Sequence, residues 1–230
     1  FSFFRDLLQR GAGAFRLFSQ VLKNIDGNLA DILVLVLESF GNMRNGFLSK
    51  PSQGGDGIIT YSIFDSDYHP PEAIRTRYAE AKQRGLSLHV WHRKELENYL
   101  LVATALHRAI CSQLSNGSVG PKLDEVEQQL EDIAEGLKQE VADCVATHIQ
   151  SADRKLTVAT ANQRARELVA SRWKTHDDRM GVIPGKEAVS RVSRWAQEKY
   201  KVSVSGLLIA HHMIAAELPQ ELQAVLSAIE

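Results

Sequence analysis

"IITYSIFDSDYHPPEAIRTRYAEAKQRGLSLHVWHRKELENYLL", residues 58–101, is the stretch that decides the fold. Its first seven residues are rich in β-branched and aromatic side chains and read as a strand. Two prolines at 70 and 71, Glu72 in the following turn and Gly85 beyond the last basic residues frame a helix. LSLHVW at 86–91 then reads as another strand. Strand, helix and strand in succession make a βαβ unit, so the two strands are expected side by side and parallel. Adjacent parallel strands end on one edge, the edge where open α/β sheets collect ligands. Asp65 and Asp67 stand at the end of the first strand, and Glu97 follows the end of the second. Alternation along a strand puts Asp65 and Asp67 on one face, and hard carboxylate oxygens of this kind suit Mg²⁺ or Mn²⁺. An Asp-x-Asp pair alone also fits an ordinary solvated strand end; the third acid from the neighbouring strand is what turns it into a candidate site.

Working outward, ILVLVL at 32–37 reads as a further buried strand, residues 2–23 have roughly helical apolar spacing, and SKPSQGGDG at 49–57 reads as a loop. Beyond residue 110 the pattern is helical. Leu123, Val126, Leu130, Ile133, Leu137 and Val141 keep a three-and-four spacing, and a second helix runs on to Trp173, which predicts an antiparallel pair. Further helices follow through Tyr200 and to the end of the chain. The expected layout is α/β over 1–110, a helical hairpin insertion over 111–176, and helices over 177–230 that pack back near the acids. The hairpin is expected to contribute to self-association or partner contact through its apolar stripe, and a homo-oligomer is expected.

The 230 residues are 44% hydrophobic and 24% charged with a net charge of -1, so any basic surface has to be local. It is: residues 122–143 carry eight acidic and two basic side chains, a net of -6, while residues 151–201 carry twelve basic and six acidic, a net of +6. The two cysteines, Cys111 and Cys144, are too few for a disulfide framework, and the expected location is a reducing cytoplasm. The longest aliphatic run is far short of the ~20 residues that span a bilayer. The abrupt opening, FSFFRDLLQR, reads as a start inside a domain, so a fragment of a longer chain is expected.

FDSDY at 64–68, followed by HRKELENYLL at 92–101, resembles the TOPRIM domain of the OLD-family (overcoming lysogenization defect) ATP-dependent nucleases and related antiphage-defence proteins. IPGKEAVSRV at 183–192 and ELPQELQAVL at 217–226 are similar to the carboxyl-terminal part of that group. The resemblance implies a TOPRIM-like parallel sheet with flanking helices, Asp65, Asp67 and Glu97 as ligands of Mg²⁺ or Mn²⁺, and Glu97 and Lys186 in catalysis. It implies metal-dependent endonuclease chemistry on DNA, coupled to an ATPase domain upstream or on a partner subunit. Two cations ~3.5–4 Å apart are a common arrangement for that chemistry. Arg93, Lys94 and Arg179 are the expected phosphate contacts, with the basic stretch from Arg154 to Lys201 and the cations Arg75, Arg77, Lys82 and Arg84 as wider tracks. The chain departs from the pattern at one place: the strand ending in Glu-Gly that opens a TOPRIM domain is lacking. Either it lies upstream of Phe1, or Glu38 in LESFGN takes its place with Ser39 where the family has Gly. A TOPRIM-like module with an incomplete acid set, serving assembly or interaction without catalysis, is the alternative.

Overall fold

The computed structural model describes residues 39–40, 43–51, 58–83 and 86–229, with side chains from residue 63 to residue 225 within them. The segments 2–23 and 32–37, read above as a helix and a strand, lie outside the described residues, as do Glu38 and Arg84.

Among the described residues, four strands form one sheet in chain order: β1 (Ser39–Phe40), β2 (Met43–Pro51), β3 (Ile58–Phe64) and β4 (Ser87–Val90). β3 and β4 are parallel, with Tyr61 opposite Ser87 and Phe64 opposite Val90. The helix α1 (Pro71–Gln83) makes the crossover between them. On its other side β3 pairs antiparallel with β2, from Asn45 opposite Phe64 to Pro51 opposite Ile58, and β1 continues antiparallel. The sheet is therefore mixed where a parallel one was expected. Residues 49–51, read as the start of a loop, belong to β2: pairing along the whole length of β3 outweighs their turn-like composition. Pro51 stands at the strand's last position, where a missing N–H costs the ladder least.

The described chain beyond β4 is helical. A 3₁₀ turn (Leu96–Leu100) leads into α2 (Ala103–Ser112), the thirty-residue α3 (Leu123–Ala152), α4 (Val158–Ser171), α5 (His176–Val182), α6 (Gly185–Tyr200), α7 (Gly206–His211), a second 3₁₀ turn (Ala215–Glu217) and α8 (Gln220–Ile229). Local chemistry sets several starts. The Thr157 hydroxyl accepts the Thr160 N–H, Thr175 and Asp178 form a reciprocal capping box, and Ser205 caps Leu208. α3 packs against α2, α4, α5 and α6, and its stripe is buried from Val126 to Val141, with Leu130 and Leu137 fully inaccessible, while Leu123 in the first turn stays exposed. That stripe thus closes the chain's own core, at roughly 2 kcal/mol for each buried leucine. Among the described residues no helix is long and apolar enough to cross a membrane.

Candidate metal centre at the carboxyl edge of β3 and β4

The loops leaving β3 and β4 stay zipped together. The Trp91 N–H donates to the Phe64 carbonyl at 3.0 Å, the Asp67 N–H to the Lys94 carbonyl at 3.1 Å, and the Ser66 hydroxyl to the Arg93 carbonyl at 2.7 Å. This brings Asp65 and Asp67 alongside Lys94, Glu95 and Glu97. The strand alternation that would have paired the two aspartates stops at Asp65. Asp67 takes a left-handed turn at φ 47°, a conformation Asp tolerates better than most residues, and reaches the cluster through that turn.

Lys186 comes from the first turn of α6, which follows the α3–α4 pair in the chain. Its ammonium lies 4.0 Å from a Glu97 carboxylate oxygen, and its backbone N–H donates to Glu95 Oε2 at 3.1 Å. Asn98, fully buried, makes this approach possible. Its amide nitrogen donates to the carbonyls of Met180 at 2.6 Å and Ile183 at 2.8 Å, and its Oδ1 accepts the Glu95 N–H at 2.8 Å. One side chain therefore joins the β4 exit to the turn that starts α6. Gly185 is needed at the contact, because a Cβ there would lie 2.8 Å from the Asn98 nitrogen. Glu221 of α8 adds a second tie, accepting from the Tyr99 hydroxyl, from His89 Nε2 at 2.9 Å and from the His92 N–H at 2.8 Å. Neither Asn98 nor Glu221 was singled out from the sequence; only their lying in ENYL and PQEL drew attention to those stretches.

The electrostatics divide the acids into two sets. Burial works against the Glu95 charge, but the Lys94 ammonium and the Lys186 N–H outweigh it and hold this carboxyl below its usual range. Lys94 also stands 3.9 Å from Asp67. Asp65 is pushed up to about 7, first by burial, then by the charge of Glu97, against the opposing pull of Lys186. Burial likewise raises Glu97, although Lys186 counters it. Four carboxylates against two ammonium groups leave a formal surplus of two negative charges across the cluster.

That surplus fits a divalent cation. Among the described residues no group of three or more His, Cys, Asp and Glu side chains is arranged to hold a metal ion. Mg²⁺, however, is commonly held by one or two carboxylates, with water and substrate phosphate completing its octahedron. Asp65 and Glu97, whose charges act on one another, are the two carboxylates to which that lesser requirement applies.

The surplus also has a consequence for stability. Asp65 has a folded-state pKa of about 7, above its unfolded value of about 3.9, so folding takes up a proton between them and stability falls as pH rises through that window. In EDTA at pH 8, Asp65→Asn is expected to melt at a higher temperature than wild type, and at pH 4 the two curves should nearly coincide. A lower melting temperature for Asp65→Asn at pH 8 contradicts this account of the charge.

The three cations expected to touch phosphate are engaged inside the chain. Lys94 is buried against Glu95 and Asp67. Arg93 bonds Asp177 at 2.5 Å and the Asn98 carbonyl at 2.7 Å, with its guanidinium 5.0 Å from the Tyr99 ring centre. Arg179 makes a two-pronged pair with Glu131, both arms at 2.7 Å. A phosphate reaching any of them has to displace an acid, whereas Arg154, Lys155, Arg164, Arg166, Arg172 and Lys174 are exposed. Compared with known proteins, the chain matches no family model, no curated protein and no solved structure.

Proposed function

We propose that the chain is the phosphodiester-hydrolysing module of a metal-dependent DNA nuclease of TOPRIM type, coupled to an ATPase on the same polypeptide or on a partner subunit. The observation that supports this most is the meeting, at one edge of a parallel strand pair, of Asp65 from the β3 exit, Glu97 from the β4 exit and Lys186 from α6. Asp65 and Glu97 would hold the cation. Bound Mg²⁺ would supply polarisation of a phosphoryl oxygen and a more acidic water. Lys186, with its side chain 53% exposed, is free to turn from Glu97 toward a phosphate and offset the charge that grows on its oxygens. Asp67 and Glu95, faced by Lys94, shape the floor of the site. The exposed cations between Arg154 and Lys174 would carry the sequence-independent attraction for the DNA backbone, which weakens with salt.

The test is Mn²⁺ binding by calorimetry together with plasmid cleavage in Mg²⁺ or Mn²⁺, using the full-length polypeptide. Asp65→Asn and Glu97→Gln should each abolish cleavage and weaken Mn²⁺ binding at least tenfold. A wild-type chain that binds no Mn²⁺ and cuts no DNA would leave the cluster as a structural ion-pair network and favour an interaction module.

A further inference from the structure

Lys94 sits where few lysines sit: only 7% exposed, inside a group of carboxylates. Its ammonium is boxed on three sides, by Glu95, by Asp67 at 3.9 Å and by the face of the Tyr68 ring, whose centre is 5.3 Å away. Both walls and backbone are fixed. The Tyr68 hydroxyl donates to the Val182 carbonyl at 3.1 Å, the Lys94 N–H donates to the Gly181 carbonyl at 2.8 Å, and the Lys94 carbonyl accepts the Asp67 N–H. Glu95 is fully used as well, one oxygen on the Lys94 ammonium and the other on the Lys186 N–H.

We propose that Lys94 is a built-in substitute for a second metal ion, so that the centre loads with a single divalent cation on Asp65 and Glu97. This rests on the metal-dependent reading above and gives the reason for one cation there in place of the two that are common for that chemistry. The physical reason is charge and space. A fixed ammonium beside Glu95 and Asp67 supplies the positive charge a second cation would bring, and it repels any cation approaching those same oxygens. Desolvating a lysine is costly unless it is paired, and here the pairing is to two carboxylates and an aromatic face. Lys186 does not fill this role, because its exposed side chain is free to leave the acids.

The experiment is Mn²⁺ titration of the full chain by calorimetry, with electron paramagnetic resonance of the loaded protein. Wild type should bind one Mn²⁺ and give an uncoupled six-line spectrum, since two Mn²⁺ within about 4 Å would couple magnetically. Lys94→Gln should bind a second Mn²⁺ and show that coupling, whereas Lys94→Arg, which keeps the charge, should bind one. Two coupled Mn²⁺ in wild type overturn the proposal while leaving the metal-dependent reading intact; no bound Mn²⁺ overturns both. A folded Lys94→Gln that still takes only one Mn²⁺ also overturns it. If Lys94→Gln does not fold, the wild-type stoichiometry decides the matter alone.

Discussion

Asn98→Ala is expected to lower folding stability by about 3–5 kcal/mol, measured as a shift in urea midpoint at unchanged slope. The size follows from what the side chain holds. Asn98 is fully buried and makes three short hydrogen bonds, to Met180 and Ile183 on one side of the joint and to Glu95 on the other. Truncation leaves two carbonyls and one N–H without that partner in a place water does not reach, at roughly 1–3 kcal/mol for each such group. Asn98→Asp keeps the shape but turns a donor into an acceptor facing two carbonyls, so it should be at least as damaging at pH 7. Its carboxyl would be protonated more readily folded than unfolded, and the loss should therefore shrink as pH falls. A shift below about 1 kcal/mol for Asn98→Ala would mean that the joint between the β4 exit and α6 is held by other contacts, Glu221 foremost.

Lys186→Ala is expected to cut the rate of Mg²⁺-dependent DNA cleavage by about 10²–10³-fold, the usual cost of losing one fixed charge or donor at a developing oxyanion. Folding should be nearly unaffected. The side chain is 53% exposed and its contact with Glu97 is a loose 4.0 Å, while the backbone N–H that donates to Glu95 survives the substitution. DNA binding at low salt should also persist, because the backbone attraction comes from the exposed cations between Arg154 and Lys174. A melting curve, a binding isotherm and a single-turnover cleavage time course on the same variant separate these effects. Wild-type cleavage by Lys186→Ala removes the lysine from the chemistry; equal loss of binding and cleavage makes it a DNA contact only.

The sequence by itself determined the β3–α1–β4 unit and the nearness of Asp65 to Glu97. Apolar runs, helix-end signals and the parallel crossover are local properties, and two parallel neighbours necessarily end on one edge. The α3 stripe was equally legible, because its period states which way each side chain faces. That α3 buries the stripe within its own chain was not legible, since periodicity gives a direction and no partner. β2 escaped because Asn45, Gly46, Ser49 and Pro51 favour turns, and only the ladder along β3 makes them a strand. Arg93, Lys94 and Arg179 look alike in a sequence as cations. Tertiary structure alone supplied Asp177, Glu95 with Asp67, and Glu131 as their partners. The same holds for Asn98 and Glu221, whose hydrogen bonds join residues far apart along the chain. Spacing encodes the face a residue presents, but the identity of what meets that face is set by how the elements close on one another.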